Sequence, residues 1–248
     1  MKNPLISIIL TYYKKRNFIE RTIRSLSNQS YKKYQLIIVY DDIDKTDLSF
    51  LKKKLSKIKN KKIIVNKKNF GVAESRNIGL KNVKGAFTAF LDADDVWHRD
   101  KLKNQIKIML NKKADLTYSS YKVIDEKDRK ISEREVSKHI TYDRLIKSCE
   151  IGLSTVMVRS NILKKFKFPP IKTQEDFGLW LKLLRKGYKF IPIKRVYSSW
   201  RMNYNSLSSN KLQKIFDAFT LMYVYENKNL IYSFYSVVVL SINKIFKK

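Results

Sequence analysis

One cysteine, four prolines and six glycines in 248 residues leave little room for several kinds of protein. With Cys149 alone, neither an internal disulfide nor a cysteine-based metal site can form within the chain, which fits a reducing compartment. None of the glycines falls in a G-x-G-x-x-G or P-loop pattern, so a nucleotide phosphate here cannot rest on a glycine cradle. Acid is scarce as well: 22 Asp and Glu stand against 53 Lys and Arg, for a net charge of +31. The apolar stretch Leu230 to Leu240, followed by Lys244, Lys247 and Lys248, is shorter than the roughly 20 residues of a spanning helix. The N-terminus enters a strand pattern by Leu5 without a charged region and signal-type apolar core, so export is not expected.

What is present is a globular composition, 44% hydrophobic, long enough for one large domain or one domain with a small appendage. The positive charge points to an anionic partner such as nucleic acid, an anionic membrane surface or a phosphorylated substrate. Because the lysines are spread along the chain, a solvated surface explains them equally well. A nucleic-acid-binding module would need basic residues clustered with aromatics on one face. That footprint is missing, so a nucleic acid partner is not expected.

Strand and helix patterns alternate from the start. Leu5 to Leu10 reads as a strand, followed by Thr11-Tyr12-Tyr13 as a loop. Asn17 with Glu20 fits a capping box for a helix whose face is Ile19, Ile23 and Leu26. Leu36 to Tyr40 is a strand ending in Asp41-Asp42, Leu48 to Ile58 a helix, and Lys62 to Val65 a short strand. Asn69-Phe70-Gly71 is a turn before a helix from Val72 to Leu80 that carries Arg76. Ala86 to Leu91 is the next strand, and Leu102, Ile106, Met109 and Leu110 mark the next helix. This βαβαβαβ order predicts a mainly parallel sheet with helices on both faces. Ligands of such sheets bind beyond the carboxyl ends of the strands.

The stretch Phe90-Leu91-Asp92-Ala93-Asp94-Asp95 puts three carboxylates at one such end. In extended chain, Asp92 and Asp94 point the same way, and paired oxygen ligands suit Mg²⁺ or Mn²⁺. The competing reading is an acidic turn with Asp95 capping the next helix. Later, Asp115 to Ile124 and Ile151 to Arg159 read as strands, with a short helix from Thr141 to Ser148 between them. Thr173-Gln174-Glu175-Asp176 opens a helix with Phe177, Trp180, Leu181 and Leu184 on its core face and Gly187 as its stop. Glu175 and Asp176 are either first-turn acids facing the helix dipole or a general base at the mouth of a cleft. Val196 to Met202 reads as an edge strand. Arg201 and the loop Asn203 to Ser209 either close over a diphosphate or form plain surface. The apolar tail is either an interfacial segment with basic flanks or a last helix packed on the core.

Together these residues carry a resemblance. The marks are Ser7-Ile8-Ile9-Leu10-Thr11-Tyr12-Tyr13, Asn28-Gln29-Ser30-Tyr31, Leu36 to Asp42, Asn69 with Gly71, Ser75-Arg76-Asn77 with Gly79, Phe90 to Asp95, Glu175 to Trp180, and Arg201 with Asn205 to Ser209. In this order and spacing the chain resembles a family 2 glycosyltransferase of the GT-A fold. Among these it is similar to enzymes of teichuronic-acid, capsular and lipopolysaccharide biosynthesis. The resemblance runs from about Leu5 to Asn210.

It implies an α/β, Rossmann-like fold with a mixed, mainly parallel central sheet. Residues 1–210 would be the catalytic domain, with a nucleotide-binding half over 1–100 and an acceptor-binding half over 101–210. Residues 211–248 would be a helical tail able to associate with membrane. Thr11, Tyr13 and Asp41 would hold the nucleoside of a sugar nucleotide, a UDP-sugar by preference. The usual Asp-Asp-Gly is replaced by Tyr40-Asp41-Asp42, and a slip of one residue would give the base-binding role to Asp42. Arg76, Asp92 and Arg201 would contact the rest of the donor, and Asp94 would bind Mn²⁺ or Mg²⁺. Some relatives carry a His in the loop after Arg201, where this chain has Asn203. Asp176 would deprotonate the acceptor hydroxyl for an inverting displacement, with Glu175, Trp180 and Asp95 on the acceptor side. The acceptor would be a glycan or lipid-linked glycan, at the cytoplasmic face of the membrane.

Overall fold

The computed structural model describes residues 3–203 and 210–246, with side chains described as far as 243. The elements run in the order β1 (Ile6–Tyr12), α1 (Arg16–Ser27), β2 (Tyr34–Tyr40), α2 (Thr46–Lys54), β3 (Lys61–Val65), α3 (Val72–Leu80), β4 (Phe87–Asp92), β5 (Val96–Trp97) and α4 (Lys101–Asn111). Then follow β6 (Leu116–Ile124), β7 (Lys130–Arg134), α5 (Tyr142–Leu145), a 3-10 turn (Leu153–Thr155), β8 (Met157–Arg159), α6 (Ser160–Lys165), α7 (Glu175–Arg185) and β9 (Phe190–Arg201). The chain closes with α8 (Lys211–Thr220), a π-helical turn (Leu221–Tyr225) and α9 (Leu230–Phe246).

The strands form one sheet in the order β3-β2-β1-β4-β8-β6-β9-β5, with β7 added to β6. β3, β2, β1 and β4 are parallel neighbours, and β6 and β9 are parallel as well. The short β8 joins the two groups by antiparallel pairs to β4 and β6. Because β1 is flanked by β2 on one side and β4 on the other, chain direction away from it reverses there. A crevice opens at such a switch point, beyond the carboxyl ends of the strands.

Alternation along the buried strands fills two cores, one on each face. Ile6, Ile8, Leu10, Leu36, Ile38 and Leu91 face α1, α2 and α4. Ile9, Ile37 and Phe90 face the opposite way, toward Ala73, Phe168 and Trp180. Gly71 and Gly85 are among the glycines that the backbone requires. Gly71 sits at φ +81°, where α3 begins, and Asn69 Oδ1 accepts from its N–H at 2.9 Å. A Cβ on Gly85 would lie 2.6 Å from the Ser7 nitrogen, so nothing larger fits before β4.

Several expectations need correction. Strand β1 continues through Thr11 and Tyr12, which pair with Val39 and Tyr40 of β2 and are not a loop. The capping box at Asn17 does not form. Helix α1 starts one residue earlier, the carbonyl of Lys15 accepts from the N–H groups of Phe18 and Ile19, and Glu20 pairs with Lys54 at 2.8 Å. Leu110 is 39% exposed, and the buried stripe of α4 instead takes in Lys101 and Gln105. Lys101 Nζ donates to Gln105 Oε1 at 2.6 Å and lies 4.2 Å from the centre of the Trp97 ring.

Residues 151–159 are not one strand. The 3-10 turn interrupts them because Ser154 is needed inside, where its carbonyl accepts from Trp97 Nε1 and Ser198 Oγ. Nor is the strand ending at Arg201 an edge. It begins at Phe190 and lies between β6 and β5. The hairpin strand β7, the two-residue β5 and helix α6 carry too few residues for periodicity to reveal. Of the loop Asn203 to Ser209, residues 204–209 lie outside the described residues.

Candidate active site

The carboxyl ends of β1, β2 and β4 bring the acids to one edge. Thr11 is the ladder partner of Asp92 across the β1–β4 pair. The N–H of Asp41 donates to the Tyr12 carbonyl at 2.8 Å, which ties the end of β2 to β1. Asp41 is buried, and its Oδ1 accepts from Asn66 Nδ2 at 2.7 Å and from the Phe70 N–H at 2.9 Å. Asn66 also bonds Ser75 Oγ at 3.0 Å, so this carboxylate is braced by α3. Asp42 is buried too, and accepts only locally, from the Asp44 N–H. Tyr13 follows β1 and is 41% exposed, an accessible ring at the rim.

The centre of the site is Arg76, which α3 delivers at 5% side-chain exposure. One guanidinium nitrogen donates to Asp92 Oδ1 at 2.7 Å and the other to Glu175 Oε1. A single buried cation therefore joins the end of β4 to the first turn of α7. Burial works against the guanidinium charge, but Asp92, Glu175 and Asp176 more than offset it, and its pKa is raised. On the acid side, burial pushes the Glu175 carboxyl up to about 7 against the pull of Arg76, and Asp176 adds to the rise. Burial also raises the pKa of Asp176, opposed by Arg76 and by the Phe177 N–H, which donates to Asp176 Oδ1 at 2.8 Å. The result is a partly accessible carboxylate held more basic than a solvated one.

Asp94 pairs with Lys15 Nζ at 2.7 Å. Burial raises its pKa, Lys15 lowers it and Asp92 raises it again. Lys15 was not foreseen from the sequence; nothing in the spacing of a lysine before a helix distinguishes it from its many neighbours. Its ammonium shows that a cation is stable against Asp94. Among the described residues no group of three or more His, Cys, Asp or Glu could hold a metal. The donor set is thus one or two carboxylates. That fits Mg²⁺ or Mn²⁺ shared with a diphosphate, since such ions keep most of their coordination for water and phosphate oxygens.

Three expected site residues are committed elsewhere. Asp95 was expected on the acceptor side. It is 1% exposed, and its Oδ1 accepts from the Arg201 N–H at 2.9 Å. Arg201 was expected on the donor. Its buried guanidinium donates to the Asp94 carbonyl at 2.9 Å, to the Asp125 carbonyl at 2.6 Å and to Asp128, and lies over the Phe18 ring. It is the brace that holds the Asp94 loop against the β6–β7 turn. The turn acids Asp125 and Asp128 were missed, because only the tertiary fold carries residue 128 to residue 201. Trp180 was also expected on the acceptor side. It is fully buried between Phe90 and Phe168, one helical turn below Asp176, as the core face of α7 requires. Burial raises the pKa of Tyr121 of β6, and the charges of Asp95 and Asp176 add to the rise.

Comparison with known proteins finds related sequences and similar folds. The family model described as "Glycosyl transferase family 2" matches residues 7–168. An Escherichia coli protein, UDP-Glc:alpha-D-GlcNAc-diphosphoundecaprenol beta-1,3-glucosyltransferase WfaP, is 37% identical over 85% of this chain and 82% of its own. Among solved structures, S. aureus TarS 1-349 in complex with UDP-GlcNAc superposes with a TM-score of 0.73 at 21% identity, over 92% of this chain and 69% of that one. The mannosyltransferase PcManGT from Pyrobaculum calidifontis, in complex with GDP-Man and Mn²⁺, gives 0.72 at 13% identity, over 98% and 74%.

Proposed function

The chain belongs to glycosyl transferase family 2, and from that premise we propose that it is an inverting transferase that moves a sugar from a UDP-sugar to a hydroxyl of a lipid-linked glycan. Its class as a glycosyltransferase enzyme with a GT-A fold follows from the family match and the shared fold. The finer reading rests on one observation. Arg76 bridges Asp92, at the donor end of β4, and Glu175, next to the candidate base Asp176. A donor at Asp92 and a base at Asp176 would then lie on opposite sides of one charged link.

In this reading Thr11, Tyr13 and Asp41, with Asp42 beside them, hold the nucleoside. Asp92 and Arg76 take the ribose and phosphate side. A Mg²⁺ or Mn²⁺ ion held by Asp94 would supply charge neutralisation for the departing diphosphate. Asp176 accepts the proton of the acceptor hydroxyl. The freed oxygen attacks the anomeric carbon as the bond from that carbon to the diphosphate oxygen breaks on the other face, so configuration inverts. Burial helps by keeping Asp176 basic, while Arg76 keeps the site from collecting several uncompensated acids. Arg201 acts through the loop it braces and is assigned a positioning role. Glu175 orients Arg76.

The lipid-linked acceptor is supported by the activity for which the Escherichia coli relative is named, and the uridine donor by the bound ligand of the TarS structure. Work on such an acceptor puts the enzyme at the inner face of the membrane, as a peripheral protein. The test is Asp176→Asn. Transfer should be lost while sugar-nucleotide binding, read by thermal shift with Mn²⁺, stays near the original. Retained transfer, or loss of binding together with transfer, would remove Asp176 from the role of base. Full activity in the presence of a chelator would overturn the metal assignment.

A further inference from the structure

Most of the large apolar side chains exposed among the described residues lie between Leu212 and Ile242, on α8, α9 and the π-helical turn that joins them. Helix α9 is apolar on its outer face as well as on its inner one, where Tyr232 and Leu240 pack on the core. It buries Ser233 and Ser236, at 0% and 5% exposure, and presents Ile231 and Phe234, at 83% and 63%, with Tyr235 and Val238 beside them. In water a helix keeps its outer face polar. Helix α8 continues the same surface. Leu212 and Phe216 face outward at 80% and 65%, and the Phe219 and Phe234 rings meet at 4.9 Å to join the two helices. A contiguous apolar surface of this kind marks a docking face.

Charge identifies what it docks on. The acids of this segment, Asp217 and Glu226, both point inward at 3% exposure. Asp217 accepts from Thr173 and Gln213, and Glu226 accepts from Tyr142 and pairs with Arg185. Lys211 is exposed, Lys228 lies over the Tyr142 and Tyr232 rings, and the sequence ends in Lys244, Lys247 and Lys248. An apolar face with lysines and no outward acid complements an anionic bilayer. It suits a second copy of the chain poorly, because a twofold contact would bring the same lysines together. Helix α9 has 17 residues, and no helix among the described residues is long and apolar enough to cross a membrane. The segment can therefore lie in the interface and not span it.

We propose that the outward face of α8 and α9 lies in the headgroup layer of an anionic membrane, and that α8 thereby presents the base-bearing helix to a lipid-linked acceptor. The second half rests on the function proposed above; the first does not. The coupling is short. Asp217 Oδ2, on the inner face of α8, accepts at 2.7 Å from both the N–H and the Oγ1 of Thr173, three residues before Asp176. The same helix thus touches membrane with one side and fixes the start of α7 with the other. An acceptor rising from the bilayer would meet Asp176 near the surface.

The experiment is cosedimentation of the full chain with phosphatidylcholine vesicles, with and without phosphatidylglycerol. Binding is expected to the anionic vesicles, to weaken with salt, and to fall about tenfold or more in the double variant Leu212→Glu, Phe234→Glu. Both positions are outside the core, and an unchanged melting temperature checks that the variant folds. Absence of binding to either vesicle, or equal binding by the variant, overturns the proposal. So does a dimer in solution that the variant dissociates, which would give the face to a second copy. Vesicle binding without sugar transfer would sink the proposed function and leave the surface standing. Transfer without vesicle binding would do the opposite.

Discussion

Replacing Arg76 by methionine tests the centre of the site most directly. The side chain is 5% exposed and its partners Asp92 and Glu175 are 31% and 6% exposed. Methionine keeps most of the volume, so packing against the Phe168 ring is retained while the charge is lost. Two acids, with Asp176 nearby, are then left without their cation. Removing one member of a buried ion pair costs about 3–5 kcal/mol, which for a chain of this size is a fall of roughly 6–20 °C in melting temperature.

The loss depends on pH with a definite sign. A carboxyl whose pKa is higher folded than unfolded binds its proton more tightly in the folded state, so stability drops as pH rises between the two values. For Glu175 that window runs from the ordinary 4.5 to about 7. Without Arg76 its upper end moves higher still. The variant should therefore be most impaired near pH 8 and recover part of the difference near pH 5, where the orphaned acids take up protons. Adding Glu175→Gln should also restore stability at pH 8, since it removes one uncompensated charge. The assay is thermal unfolding of wild type, single and double variants at both pH values, followed by tryptophan fluorescence. Equal losses at pH 5 and pH 8, with no recovery in the double variant, would refute the electrostatic account of this clamp.

Asp94→Asn should abolish the Mn²⁺-dependent part of sugar-nucleotide binding and leave the metal-free part, as read by thermal shift with and without chelator. Arg201→Lys should destabilise the protein by about 3 kcal/mol, because an ammonium cannot reproduce the planar fork that reaches two carbonyls and Asp128; denaturant unfolding measures it, and a change within error would mean the brace is dispensable. Trp180→Ala should cost about 3–5 kcal/mol through the cavity left between Phe90 and Phe168, whereas a residue that served only to contact acceptor would alter transfer and leave stability unchanged.

Much of the first hundred residues could be read from the chain alone. Runs such as Leu36 to Tyr40 and Phe87 to Leu91 are continuous and apolar because both faces of a parallel strand are covered, and Gly71 marks the start of α3 because only a residue tolerant of positive φ fits there. Strand ends then follow from strand identity, so Asp41, Asp92 and Asp94 could be assigned to one edge before any coordinates. Periodicity missed β5, β7 and α6 and ran the short β8 into a longer strand, since so few residues show no clear period and their place depends on distant contacts.

What sequence determined, then, was the order of strands and helices, because hydrophobic period is a property of neighbouring residues. It determined equally that acids gather at the strand tips and that the tail is apolar between lysines. Only the tertiary structure decided which charges meet. Arg76 reaches Glu175 across 99 positions, Arg201 reaches Asp128 across 73, and Lys15 finds Asp94. A lysine or arginine in so basic a chain looks the same whether it is solvated or buried against a carboxylate. Folding distinguishes them, because burial makes an unpaired charge costly and so leaves inside only those cations whose partners the sheet brings within hydrogen-bond reach.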